Sequence, residues 1–252
     1  MAIAHRRIGT GAVRVIVLHD WFGTSANWGS VLDHFDPERF SYAFLDYRGY
    51  GDRREVPGRH DLAEIADDVL ALADELGWDT FCLVGHSMGG KAAQQVLVRA
   101  PERVERIVGV APVPAAPYPM DEATHSLFYG AAEDPAKRLA ILDLVTGRRA
   151  SRHWLAGMVA HSVAVSSPEA FAGYLASWQT LDLSDAVKGS TVPVLVLVGE
   201  YDLALTAEVM QATWKVWYPD CRVHTLPGSG HYPPHETPVA FVTAVEAFLS
   251  AA

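Results

Sequence analysis

Short apolar runs rich in β-branched residues recur along this chain and alternate with longer segments of helical periodicity. Val13-Arg14-Val15-Ile16-Val17-Leu18 and Tyr42-Ala43-Phe44-Leu45 read as strands, as do residues 80–84, 104–110, 194–198 and 223–226. Runs that are apolar nearly throughout belong to strands covered on both faces, as in a parallel sheet. Helical patterns span about 61–77, with Asp61 as N-cap, then 88–99, 204–217 and 237–249. This alternation predicts an α/β chain with a mostly parallel central sheet flanked by helices and right-handed crossovers.

One stretch breaks the rhythm. Residues 117–183 contain no strand pattern and read as helices over 136–145, 151–164 and 168–179. Pro112, Pro114, Pro117 and Pro119 punctuate its entrance. It is expected to lie over the C-terminal edge of the sheet, where open α/β sheets bind ligands.

Beneath that edge the sequence places Gly85-His86-Ser87-Met88-Gly89, after the run Phe81-Cys82-Leu83-Val84 and before Gly90-Lys91-Ala92-Ala93-Gln94. It reads as strand, sharp turn and helix, with a serine at the tip. A serine hydroxyl becomes a nucleophile when a base removes its proton, and the base needs an orienting partner. Two later strands end in suitable groups, Gly199-Glu200-Tyr201-Asp202 and Pro227-Gly228-Ser229-Gly230-His231. The chain order Ser87, Asp202, His231 is the one that accompanies an elbow serine on an α/β sheet. Glu200 is the rival acid, but its side chain should face the other side of the strand end. His235, beside Pro234 and expected to start the last helix, is the rival base. The elbow also satisfies G-x-x-x-x-G-K, yet Ala92 stands where a phosphate loop needs Ser or Thr for Mg²⁺.

These motifs resemble the α/β-hydrolase superfamily with a helical cap, and the likeness covers nearly the whole chain. It is carried by His19-Asp20-Trp21-Phe22-Gly23, Asp46-Tyr47-Arg48-Gly49-Tyr50-Gly51, the elbow, the loop ending at Asp202, and Gly230-His231 with Glu236 and Pro238. The resemblance implies an α/β-hydrolase fold with a cap inserted after the sixth strand of the fold. The core would comprise 1–116 and 184–252, and the cap 117–183. The family's first strands are expected to be shortened here. Ser87 would be the nucleophile, His231 the base and Asp202 its orienter. The backbone N–H groups of Met88 and Trp21 would form the oxyanion hole. Where the family usually has His-Gly, this chain has His19-Asp20. Asp tolerates left-handed backbone better than most residues, but its carboxylate would lie near the oxyanion.

The implied function is a serine hydrolase cleaving a small or medium apolar carboxylic ester or lactone through an acyl-serine intermediate. Other acyl or carbon–carbon bond hydrolysis, cofactor-free perhydrolase or haloperoxidase chemistry, and a non-enzymatic small-molecule receptor suit the same fold. Phe22, Phe128, Tyr129, Trp154, Met158, His161, Trp178, Leu203 and Tyr232 are candidates for the pocket around an apolar acyl or aryl group. His19 and His86 are expected to structure their loops, Asp46 and Arg48 to anchor theirs, and Lys91 to be solvated or structural. His153 and His161 lack metal-ligand spacing, so neither a cofactor nor a catalytic metal is expected.

The formal charge is −10, with no Lys/Arg cluster longer than the short His5-Arg6-Arg7 run, which argues against nucleic acid. No apolar run reaches the ~18 residues of a membrane span. The N-terminal run 13–18 is too short for a signal peptide and contains Arg14. Cys82 and Cys221 read as buried thiols in a reducing compartment, so a cytoplasmic protein is expected.

Overall fold

The computed structural model describes residues 3–251. Seven strands form one sheet: β1 (His5–Ile8), β2 (Val13–Leu18), β3 (Phe40–Leu45), β4 (Phe81–His86), β5 (Val104–Val110), β6 (Val194–Gly199) and β7 (Cys221–Leu226). Their order is β1-β3-β2-β4-β5-β6-β7, and only β1 runs antiparallel to its neighbour. β4 thus lies at the centre, and the strand order reverses around β2 and β4, the kind of crevice where open sheets take ligands.

The strands are apolar throughout because alternate side chains enter two different cores. Ile16 and Leu18 pack with α1 (Leu62–Glu75) and α2 (Met88–Arg99), whereas Val15 and Val17 pack with α11 (Pro238–Leu249). Val196 and Leu197 divide in the same way. Each fully buried Val, Leu or Phe side chain contributes about 1.5–3 kcal/mol relative to exposure. Asp61 caps α1, its side chain accepting from Glu64 N–H.

Three short elements escaped the pattern reading. β1 is a four-residue edge strand built on the His5-Arg6-Arg7 run, paired to β3 from His5↔Leu45 to Ile8↔Tyr42. α7 (Ser184–Val187) and α10 (Pro233–Glu236) are single turns. His235 lies in α10, and Thr237 separates that turn from α11. The helix expected over 204–217 is two helices, α8 (Ala207–Ala212) and α9 (Trp214–Trp217). It starts late because Ala204 and Leu205 donate their N–H groups to the Asp202 carboxylate, and it breaks at Thr213, whose hydroxyl donates back to Val209 O.

Between β5 and α7 lie α3 (Glu122–Tyr129), α4 (Pro135–Val145), α5 (Arg152–Val165) and α6 (Pro168–Thr180). This helical segment follows the fifth of the described strands. α3 was not expected; Asp121 caps it by accepting from Thr124 N–H. The buried Arg138 guanidinium ties these helices together. It donates to Ala131 O, Ser162 Oγ and Ser166 Oγ and lies 3.6 Å above the Phe171 ring.

Lys91 is fully buried, so the solvated alternative does not hold. Its Nζ donates to Ala116 O at 2.8 Å and to Trp178 O at 2.9 Å, joining the elbow helix to both ends of the helical segment. Burial pushes its pKa down to about 7 from 10.5. The folded chain therefore binds this proton less tightly than the unfolded chain, and Lys91 makes stability rise with pH from about 7 towards 10.5. Lys91→Met strands two buried carbonyls and is expected to cost about 2 kcal/mol. Urea denaturation at pH 6.5 and 9.5 checks both points: the gap between wild type and variant should widen at the higher pH.

Candidate active site

Ser87 follows β4 and begins α2 with φ 53° and ψ −114°, a backbone conformation that L-residues rarely adopt. Its neighbours make the turn possible. A Cβ on Gly85 would collide with the carbonyl oxygen of Gly89, and one on Gly89 with that of Leu18. Ser87 is anchored by its own backbone, its N–H donating to Val110 O and its carbonyl accepting from Val113 N–H, both at 2.9 Å.

Asp202 follows β6 and is buried. Its Oδ1 accepts from Ala204 and Leu205 N–H at 2.9 and 3.0 Å, and its Oδ2 accepts from His231 Nδ1 at 2.6 Å. Burial by itself would push this carboxyl up. Attraction to His231, that hydrogen bond and the two N–H donors outweigh it and hold the carboxyl below its ordinary value. An ionised carboxylate only accepts, so Nδ1 of His231 carries the proton and Nε2 is left with a lone pair. Burial likewise opposes charge on His231, but Asp202, then Asp20 and Glu236, raise its pKa above 6.5.

The loop that carries His231 is gripped by Glu236 of α10. Its Oε2 accepts from Gly230 N–H at 2.8 Å and its Oε1 from Tyr232 N–H at 2.9 Å. The rival groups have other tasks. Glu200 accepts from Gly228 N–H at the surface, and the His235 ring bonds Asn27 O.

The loop after β2 is held by its carbonyls. Tyr47 N–H donates to His19 Nε2, so His19 Nδ1 carries the proton and donates to Asp20 O at 2.7 Å. Tyr50 OH donates to Trp21 O, and Phe22 N–H donates to Asp20 Oδ2. In a trans peptide the N–H points away from its C=O. Fixing Asp20 O therefore aims Trp21 N–H the other way. Among the described residues neither Trp21 N–H nor Met88 N–H has an acceptor.

Ser87 and His231 line one cavity, and Trp21, Phe22, Phe128, Trp178 and Tyr232 line it with them. Trp21 is the centre of the aromatic wall, its ring stacked on Phe171 and Phe128 and its indole N–H donating to Phe171 O. Five expected pocket residues lie outside. Tyr129 stacks on His125 and donates to Gln179. Trp154 turns its edge to Tyr232 and His235 and borders a neighbouring surface groove with Arg149. Met158 packs by its sulfur on Asn27, and His161 faces Thr24. Leu203 is 55% exposed, because the turn that wraps Asp202 around the N–H groups of Ala204 and Leu205 throws it outward. The helices α4, α5 and α6 lie where the sequence pattern put them, but which of their faces turns inward depends on how they pack. The lining that sequence reading missed is Val113, Tyr118, Ile141, Val145, Ala204 and Leu205, and Asp20 borders the cavity with them. Asp46 anchors its loop as expected, accepting from Ser25 and Asp52 N–H. Among the described residues no three of His, Cys, Asp or Glu converge as a metal site, and no helix is long and apolar enough to cross a membrane.

The model of the alpha/beta hydrolase family matches residues 15–245. The chain belongs to that family. Over 264 residues this hydrolase is 28% identical to the pimeloyl-(acyl-carrier protein) methyl ester esterase of Serratia marcescens, with 99% of each chain covered. Among solved structures it is similar to the esterase EaEST from Exiguobacterium antarcticum, with a TM-score of 0.88, 20% identity, and 99% and 96% of the two chains covered. A thermophilic esterase from Thermogutta terrifontis gives a TM-score of 0.84 at 24% identity, covering 98% and 92%. At these identities the solved structures speak to the fold of the hydrolase alone.

Proposed function

We propose that this chain is a cytoplasmic serine hydrolase that cleaves a small or medium apolar carboxylic ester or lactone through an acyl-serine intermediate. The observation that carries the reading is the strained Ser87 sharing a cavity wall with His231, whose Nδ1 is held by Asp202. The cytoplasmic part rests on the two buried free thiols, Cys82 and Cys221.

In this mechanism His231 Nε2 takes the Ser87 proton as Oγ attacks the carbonyl carbon. The resulting oxyanion is met by the N–H groups of Met88 and Trp21, and the α2 dipole adds to the first. Collapse breaks the bond to the leaving oxygen, which receives the proton from Nε2. Water then attacks the acyl-serine with His231 as base and restores the hydroxyl. Residues 117–183 act as a cap on a core of 1–116 and 184–252, and the aromatic wall around Trp21 takes an apolar acyl or aryl group. The relative from Serratia marcescens, by name an esterase for a carrier-bound methyl ester, supports ester over amide or carbon–carbon cleavage.

The test is labelling with a fluorophosphonate, mapping of the modified residue, and competition by esters, lactones and thioesters of graded acyl length. Labelling confined to Ser87 and relieved by apolar esters is expected. Modification elsewhere overturns the reading. A second expectation concerns pH. The base must be neutral, and its neighbours hold its pKa above 6.5, so kcat/KM should climb with pH through a midpoint above that value. Initial rates from pH 5 to 9 on an uncharged ester check this.

A further inference from the structure

Asp20 stands where the family usually carries glycine, and the mechanism above does not use it. The residue is 4% exposed and borders the cavity of Ser87 and His231. The chain is built around it: a Cβ on Gly23 would strike its Oδ1. Oδ2 accepts from Phe22 N–H at 3.1 Å, on the loop of Trp21, and from Tyr232 OH at 2.9 Å, on the loop of His231. Oδ1 lies 3.8 Å from Nδ1 of His86, the residue before the elbow serine. His86 in turn donates from Nε2 to His231 O at 2.7 Å, since a carbonyl can only accept. One carboxylate therefore adjoins the loops of Trp21, Ser87 and His231, and no Lys or Arg borders the cavity beside it.

We propose that Asp20 is a positioning residue for this hydrolysis, tying the His231 loop to the Trp21 loop and supplying a second negative charge beside the imidazolium formed during acyl transfer. The proposal rests on the serine-hydrolase reading. The charge also makes the cavity unwelcoming to anionic acyl groups, so the substrate class is an uncharged acyl ester.

The groups facing His231 are Asp202 from the β6 loop, Glu236 from α10, His86 from β4, Tyr232 and Asp20. Those facing Asp20 are His19, His86 and Tyr232, with His161 of α5 and His235 of α10 farther out. Burial pushes His86 down to about 4, so at neutral pH Asp20 has no fixed cation and its field falls on the reacting imidazole.

Asp20→Asn separates charge from shape. The amide oxygen can accept from Phe22 and Tyr232, and the amide N–H₂ can donate to the neutral His86 Nδ1. The expected result is retained fluorophosphonate labelling of Ser87, with the acid limb of kcat/KM moved down by about half a pH unit or more. Preference for a neutral ester over one bearing a terminal carboxylate should fall about tenfold. An acid limb and preference that superimpose on wild type overturn the proposed role of the charge. Tyr232→Phe tests the tie independently and keeps the charge. It should lower kcat at least threefold with the preference for neutral esters kept, and an unchanged kcat overturns the positioning role. Failure of the wild type to label at Ser87 defeats the serine-hydrolase reading itself. Normal wild-type labelling with indifferent variants defeats only Asp20.

Discussion

Ser87→Ala is expected to abolish fluorophosphonate labelling and to lower ester turnover by on the order of a millionfold, with folding intact. The size follows from the covalent step: without Oγ no acyl-enzyme forms, and only binding and the oxyanion donors remain. Folding should persist because Ser87 is held by main-chain bonds from Val110 and Val113, and its side chain makes no capping bond to α2. Alanine at φ 53° carries the same strain as serine, so thermal unfolding should be nearly unchanged. Burst kinetics with an activated ester surviving in the variant would exclude Ser87 as the nucleophile.

His231→Ala should bring a comparable loss, whereas His235→Ala should keep most activity. The two imidazoles are four residues apart, and the surrounding structure gives them different tasks. His231 has its Nδ1 held by Asp202 and borders the cavity with Ser87. His235 spends its ring on Asn27 O and packs edge-on to Trp154. Asp202→Asn should fall by about ten-thousandfold, because an amide can hold the wrong tautomer of the base. Steady-state rates on one neutral ester at pH 8 rank all three. A His235 variant slower than the His231 variant reverses the assignment of the base.

Much of this molecule was legible before folding was considered. The strands β2 and β5 and the helix α2 lie where their residue patterns placed them, because a two-sided core demands apolar residues at successive positions. The elbow was legible because few residue types fit a backbone with glycine on both sides at such close approach. β1 was not, since four residues with two arginines carry no apolar signal and pair only because the edge of β3 is open to them. Nor was the split of the 204–217 helix, which a buried carboxylate imposes by taking two N–H groups. The pattern of α2 left Lys91 either solvated or structural, and it is a buried tether because the segment after β5 folds back over that helix.

The pocket shows the same division. Trp21, Phe22 and Tyr232 adjoin reacting groups in the chain, and adjacency sufficed to place them on the cavity. Leu203 also adjoins such a group, Asp202, yet points outward, and Tyr129, Trp154, Met158 and His161, chosen by residue type, turn elsewhere.

The amino-acid order alone determined the α/β architecture, the tight turn at Ser87 and the positions of Asp202 and His231 after strand ends. These are local consequences of periodicity, glycine placement and strand-end loops. Tertiary structure alone decided which helix faces line the cavity, that Glu236 grips the loop of His231, and that Asp20 meets both Tyr232 and Phe22. Those contacts join residues from separate elements, and the distances between them are set by how sheet and helices pack, which no stretch of chain encodes by itself.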